Sequence, residues 1–390
     1  MKLSHRITHL TPSGSDGWEV FYKARRMKAA GHDITELTIG EHDIRTAKPI
    51  LDAMHAAALT GHTGYAMVPG TDDLRAAVAD RIAARTGVPT TPANILITPG
   101  GQSALFAAHH AVLDEGDTAL FIDPYYATYP GTIRGVGGVP RAVPAHPEAG
   151  FQPQAADIDQ HANDAKSLLI NSPNNPTGAV YSRATLEGIA ASCQAHDLAL
   201  ISDEVYDTQV WDGTHMSPRA LPDMADRTLV VGSMSKSHAM TGSRVGWVCG
   251  PEDAISHMIN LATHTTYGVP GYIQDAALFA LSQGTALETE VAAPFKRRRQ
   301  ITETLLATQT LVKASPTQGA MYAMLDIRGT GLSGQDFANA LLDQHHIATM
   351  PGESFGAAGA GHIRVAMTID DDRYRTALQT LLTFAATQTA

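Results

Sequence analysis

Only two cysteines, Cys193 and Cys249, occur among 390 residues. They are too few for a disulfide framework or a four-thiolate zinc site, and read as buried, reduced thiols of a cytoplasmic protein. The sequence has no run of about 18 apolar residues. Its opening, MKLSHRITHLTPSG, lacks an apolar core of signal-peptide length. Membrane insertion and secretion by the usual route are therefore not expected. Positive charge is scarce as well: 28 Lys and Arg against 39 Asp and Glu leave a formal charge of −11. Nucleic acid is excluded as the expected partner, because affinity for it comes from cationic contacts to phosphate. The 18 histidines form no HExxH and no tight His/Cys cluster, so no metal site is expected. Repeats and low-complexity tracts are missing too. What remains is 44% hydrophobic and 17% charged, enough apolar material for a sizeable core. At about 100–200 residues per domain, two or three domains are expected.

The opening segment reads as irregular, followed by a helix over residues 18–30 that Gly31 would end. The middle of the chain alternates apolar runs with helical patterns. The runs fall at 94–98, 118–123, 139–144, 167–171, 198–203, 228–232 and 245–250. Several are continuously apolar, as strands buried on both faces are, and helical segments such as 103–113 and 183–196 lie between some of them. This order implies an α/β fold with a mostly parallel, seven-stranded sheet covered by helices. The short loop between 232 and 245 leaves room for one antiparallel strand. After residue 286 the pattern changes to a long helix carrying the basic run 296–299, then strands near 320–326 and 362–366, a helix near 335–345 and a terminal helix from 371. That is a smaller α+β unit, which the N-terminal segment is expected to join. The division is a large domain over 46–285 and a discontinuous small one from 1–45 and 286–390.

Ligands of open parallel sheets bind beyond the carboxyl ends of the strands. The first such end carries Pro99-Gly100-Gly101-Gln102-Ser103 before a helix, where glycines and a helix N-terminus suit an anion. The second carries Pro124-Tyr125-Tyr126, an aromatic face. The 167–171 run leads to Ser172-Pro173-Asn174-Asn175-Pro176-Thr177-Gly178, a rigid turn able to aim an amide. The next ends deliver Asp203, with Tyr206 three residues on, and Ser233-Met234-Ser235-Lys236, with Arg244 eight residues further. Taken singly, each has an ordinary structural explanation. Together an anion cradle, an aromatic plate, an amide, a carboxylate and a lysine beside an arginine match one ligand, pyridoxal 5′-phosphate. Desolvation and a neighbouring cation both lower an ammonium pKa, as an imine-forming lysine requires.

With PGGQSAL, DPYYATYP, NSPNNPTG, SDEVY, SMSKSHAMTGSRVGW and HIRVAM in this order, the chain resembles the fold-type I, class I/II aminotransferases, the aspartate aminotransferase superfamily, over nearly its whole length. The resemblance implies a large domain that binds pyridoxal phosphate. It also implies transfer of an amino group from an α-amino acid to a 2-oxo acid by a ping-pong route, through an internal aldimine on Lys236. Asp203 would pair with the pyridinium nitrogen, Tyr206 and Asn175 would donate to the ring phenolate oxygen, and Tyr126 would stack on the ring. Gly101, Gln102, Ser233, Ser235 and Arg244 would hold the phosphate. Tyr65 matches a tyrosine that reaches the neighbouring subunit's phosphate, which implies a homodimer with shared active sites. Arg364 would grip the substrate α-carboxylate, completed by Gly40 and Asn175. Trp18, His42 and Arg45 fall in segments that line the substrate pocket of relatives, where Arg45 would meet an acidic side chain and Trp18 wall off an apolar one. Residues 263–268 read THTTYG, without the arginine that faces a distal carboxylate in the animal-type aspartate enzymes. The alternative on the same fold is a C–S β-lyase using the same lysine and aspartate. A ligand-sensing DNA-binding regulator would need a further domain and is disfavoured by the −11 charge.

Overall fold

Strand and helix order follow from where the chain switches between apolar runs and amphipathic stretches. The protein was analysed as a computed structural model describing residues 1–11 and 17–388. After β1 (Thr35–Glu36), the large sheet is built from β2 (Ile95–Thr98), β3 (Thr118–Asp123), β4 (Val139–Pro144), β5 (Ala165–Asn171), β6 (Ala199–Asp203), β7 (Thr228–Ser233) and β8 (Gly246–Cys249). Its strand order is β2-β8-β7-β6-β5-β3-β4. Neighbours β4, β3, β5, β6 and β7 pair in parallel, and β8 is antiparallel to both β7 and β2. The mostly parallel sheet and its one reversed strand are thus as expected.

These strands read as continuously apolar because both faces are covered. Leu168 and Ile170 of β5 and Leu200 of β6 join one cluster with Leu186, Ile189 and Cys193 of the helix Arg183–Ala195. Leu169 and Ile201, one residue out of phase, join Ala104, Leu105 and Ala108 of the helix Gly101–Val112 on the other face. Each such leucine or isoleucine removed from water contributes about 1.5–3 kcal/mol. Cys193 and Cys249 are free and buried, and burial pushes their thiols up to about 12 and about 11.

The smaller unit holds β9 (Lys313–Ala314), β10 (Tyr322–Asp326), β11 (Ile347–Ala348), β12 (Met350–Pro351) and β13 (His362–Ala366). Four of them form an antiparallel sheet in the order β12-β13-β10-β9, while β1 pairs in parallel with β11. The helix Glu19–Ala29 buries Val20 and Ala24 against Ala338 and Leu342 of the helix Gly334–His345. Gly31, at φ +97°, lies just beyond its end. The opening contains a short helix, His5–Thr8, capped by Ser4, which lies on the large unit: Arg6 pairs with Glu115 and Arg134 donates to the Leu10 carbonyl. The rest of the segment expected to be irregular, residues 12–16, lies outside the described residues. The basic run takes the role of ion-pair partner. Arg298, buried in the helix Ala286–Leu306, holds Asp43 at 2.6 Å and Asp371 at 2.9 Å. Among the described residues no helix is long and apolar enough to cross a membrane.

Candidate active site

Beyond the carboxyl ends of β2, β3, β5, β6 and β7 the two units enclose a cavity of about 390 Å³. Gly40, Gly101, Gln102, Tyr126, Asn175, Asp203, Tyr206, Ser233, Ser235, Lys236, Arg244 and Arg364 all line it. Twelve of the thirteen residues assigned to the cofactor, the reaction or the substrate α-carboxylate therefore converge on one space. The thirteenth, Tyr65, is 92% exposed, with its ring 5.3 Å from that of Tyr267. Trp18 lines the cavity, whereas Arg45 is exposed and outside its lining.

One end is shaped for an anion. Gly100 has φ +81°, which only glycine adopts readily, and a Cβ there would collide with the Arg244 guanidinium. The helix Gly101–Val112 starts at this point, so its unsatisfied N–H groups and positive dipole end face the same space. Ser233 leaves β7 with its hydroxyl accepting from the Ser235 N–H at 3.1 Å. Arg244 is steadied by the Thr241 carbonyl at 2.9 Å.

The floor carries Asp203, enclosed at the end of β6. Tyr129 donates to its Oδ2 at 2.7 Å, and the Val205 N–H reaches Oδ1 at 3.3 Å. Burial nevertheless pushes the carboxyl up to about 6, since no cation lies among the groups acting on it. Asn171 organises the neighbouring turn, its amide oxygen accepting from the Asn175 N–H at 2.8 Å and its NH2 donating to the Asp203 carbonyl at 2.9 Å. Asn174 ties the turn together by accepting from the Thr177 N–H at 3.1 Å. Asn175 is thereby turned toward Arg364, from which its oxygen accepts at 2.8 Å. Tyr206 and Tyr322 share a hydrogen bond of 3.0 Å, and burial raises the Tyr206 phenol well above its ordinary value.

Lys236 sits on the short helix Met234–Ser237 after β7, its amine donating to the Gly40 carbonyl. Its own carbonyl accepts from His42 and Gln209, both at 3.0 Å. Burial, with Arg364 and Arg244 nearby, lowers the ammonium to about 8, although Glu41 pulls the other way. Arg364, on β13, is 1% exposed. Its guanidinium lies between the rings of Tyr322 and Phe355, 4.4 Å from each, and also donates to the Thr38 carbonyl. Its Nε has no partner, and among the described residues its other nitrogens meet an amide and a carbonyl rather than a carboxylate. A buried cation without a counter-charge is costly, and a carboxylate ligand would relieve that cost.

Sequence reasoning missed Tyr129, Tyr322, Phe355 and Asn171. Tyr129 stood within DPYYATYP and Asn171 at a strand end, so both were open to detection. Tyr322 lies in an apolar stretch where an aromatic reads as core, and Phe355 stands in a loop of glycine, serine and glutamate where no local pattern marks its approach to Arg364.

A cation-seeking carboxylate, an anion cradle and a depressed lysine in one cavity fit pyridoxal phosphate. The comparisons agree. The family profile described as aminotransferase class I and II matches residues 32–381. The arginine–pyruvate transaminase AruH of Pseudomonas aeruginosa is 38% identical over 387 residues, 99% of this chain and 98% of that protein. The aspartate/prephenate aminotransferase of Thermus thermophilus is 35% identical, with 97% of each chain covered. Among solved structures, the aspartate aminotransferase from Thermus thermophilus with maleate superposes with a TM-score of 0.91 at 34% identity, covering 99% of both chains. The aromatic aminotransferase from Pyrococcus horikoshii gives 0.88 at 30% identity, covering 94% of this chain and 99% of that one.

Proposed function

The chain belongs to the class I and II aminotransferases, pyridoxal phosphate-dependent enzymes, and we propose that the cavity transfers amino groups from neutral or basic α-amino acids to a 2-oxo acid. The observation carrying this is the buried, uncompensated guanidinium of Arg364 facing the same space as the low-pKa amine of Lys236. The relatives are named for amino-group transfer, which sets the lyase alternative aside.

Bound pyridoxal phosphate supplies an aldehyde to capture the amino group and a ring to delocalise the electron pair left on Cα. The helix N-terminus at Gly101, with Gln102, Ser233, Ser235 and Arg244, would hold its phosphate. Asp203 would keep the ring nitrogen protonated, Tyr126 would cover the ring, and Tyr206 and Asn175 would donate to the ring oxygen. Arg364 binds the substrate α-carboxylate bidentately, as a planar fork does. Asn175 and Gly40 orient it, so that the Cα–H bond faces the Lys236 amine. With a pKa near 8 that amine can take the Cα proton and give it back, the requirement for a general base working near neutrality. Among the described residues the cavity lining holds no further arginine or lysine, so this chain offers a distal carboxylate no counter-charge. That absence supports neutral or basic donors. The relative named for arginine and pyruvate makes that pair the first to try.

We take 46–285 as the large unit and 1–45 with 286–390 as the small one, the first ten residues leaning on the large unit. A homodimer is supported by the exposed apolar residues Leu51, Leu59, Tyr65, Met67 and Tyr267. Tyr65, too exposed to serve its own cavity, would complete the partner's phosphate site. The free thiols support a cytoplasmic location.

The test adds L-arginine, L-alanine, L-phenylalanine or L-aspartate singly to holoenzyme without acceptor. It follows the cofactor's visible band together with the 2-oxo acid released. The expected result is one 2-oxo acid per site with loss of the band, aspartate reacting slowest. Continuous pyruvate and ammonia release with the band retained would overturn the transaminase reading. A lead for aspartate would overturn only the donor preference.

A further inference from the structure

Asp123, at the end of β3, is 5% exposed and outside the cavity lining. Its Oδ2 accepts from the Ala357 N–H at 2.9 Å, and its carboxylate accepts from the Ala358 N–H at 3.2 Å. One residue past Pro124, the Tyr125 N–H donates to the Phe355 carbonyl at 2.9 Å. Two bonds to the Asp123 carboxylate and one between backbones thus fasten the loop 352–359, which belongs to the small unit, onto the large sheet. The loop's other anchor is Glu353, which accepts from the N–H groups of Gly334 and Gly361 at 2.9 and 3.2 Å. Between the two anchors stands Phe355, one of the two rings enclosing the Arg364 guanidinium. Gly356 lies in the fastened stretch at φ +115°, and a Cβ there would collide with the Asp123 carboxylate.

We propose that Asp123 is a positioning residue for substrate binding, clasping the 352–359 loop to the large sheet so that Phe355 holds Arg364 aimed at the substrate α-carboxylate. The inference rests on the assignment of Arg364 to that carboxylate. A carboxylate is suited to the clasp because ionised acceptors bind N–H groups about twice as strongly as neutral ones. Among the described residues no charged side chain pairs with Asp123. The titratable group facing it is the Tyr125 phenol, which burial and then the Asp123 charge push up, with Arg134 pulling the other way. Burial raises the Asp123 carboxyl to about 6, against the pull of the two N–H bonds. Below that pH the carboxyl gains a proton and loses part of its accepting capacity, so the clasp weakens as pH falls.

The test measures kcat, KM and bound cofactor for wild type, Asp123→Asn, Gly356→Ala and Arg364→Lys, using whichever of the four donors above turns over fastest. Asp123→Asn weakens the clasp from the sheet side and Gly356→Ala from the loop side. Each should raise KM about tenfold while kcat stays within about threefold, with cofactor content unchanged. Wild-type KM should climb as pH falls from 7 to about 5.5, and the Asp123→Asn value should stay level over that window. This wild-type profile needs no substitution to fold. An Asp123→Asn enzyme with wild-type KM at every pH, or one losing kcat and cofactor together, would sink the clasp. Arg364→Lys separates the two ideas. A raised KM there with a normal one in Asp123→Asn removes the clasp alone. A normal KM in Arg364→Lys removes the Arg364 assignment and the clasp with it.

Discussion

Asp203 is held above its ordinary pKa by burial, at about 6 against 3.8. A carboxyl raised in the folded state weakens folding where it must ionise. The cost is present in full above pH 6 and fades as pH falls through 6 toward 3.8. A shift of two units corresponds to about 3 kcal/mol at most. Asp203→Asn should therefore raise the melting temperature of the cofactor-free protein at pH 7.5. The gain should shrink by pH 4.5, a comparison scanning calorimetry makes directly. The same substitution should lower kcat of the loaded enzyme a hundredfold or more, at roughly 1.4 kcal/mol per tenfold, because an amide cannot stabilise a ring N–H cation. Stability and activity are opposed at this one residue. Arg364 shows the same opposition with the charge reversed, its guanidinium kept between two rings without an ionic partner. At both positions the folded chain bears a desolvation cost that bound ligand would offset.

The strand-to-helix turn at Gly100 and Gly101 joins an element boundary to a ligand site. A strand ends, a residue turns at φ +81°, and a helix begins with its N–H groups free. Gly100→Ala would strain the turn and drive Arg244 from its place beside it. Its dissociation constant for pyridoxal phosphate, measured by dialysis and absorbance, should rise about tenfold or more. An unchanged constant would mean that the turn does not shape the phosphate site. The turn after β5 works differently, because its asparagines divide their tasks: Asn171 and Asn174 hold the backbone, and Asn175 is turned to Arg364. In the long helix Ala286–Leu306, Arg298 binds Asp43 and Asp371 together. That pairing pins the segment bearing Gly40 to the start of the C-terminal helix.

At the scale of the whole molecule, the proposed sharing of sites between two copies makes a complementation prediction. Mixing inactive Lys236→Ala subunits with Tyr65→Ala subunits should produce heterodimers in which one cavity has both residues intact. At limiting cofactor, activity should then exceed the sum of the two parents, as measured after exchange in mild denaturant. Additivity alone would place Tyr65 outside its neighbour's site. Much of this architecture was legible beforehand. Apolar runs covered on both faces announce the parallel sheet, and the residue after each run announces the edge where ligand binds, since connections at that edge are free of packing duties. The resemblance supplied the individual roles. Tyr322 stayed hidden because an aromatic among apolar neighbours has the same pattern whether it fills a core or encloses a guanidinium, and Phe355 because a lone aromatic in a loop of glycine, serine and glutamate carries no mark of a partner brought near only by folding. Asp123 reads as the close of a strand, and its hold on residues 234 and 235 positions away is written in no local pattern. By itself the sequence determined the seven strands of the large sheet, their order and the reactive groups at the strand ends, because propensity, periodicity and turn chemistry act over a few neighbouring residues. Only the tertiary structure decided which groups lose water, which lack a counter-charge and which loop braces which arginine, because desolvation and Coulomb forces depend on distance through space.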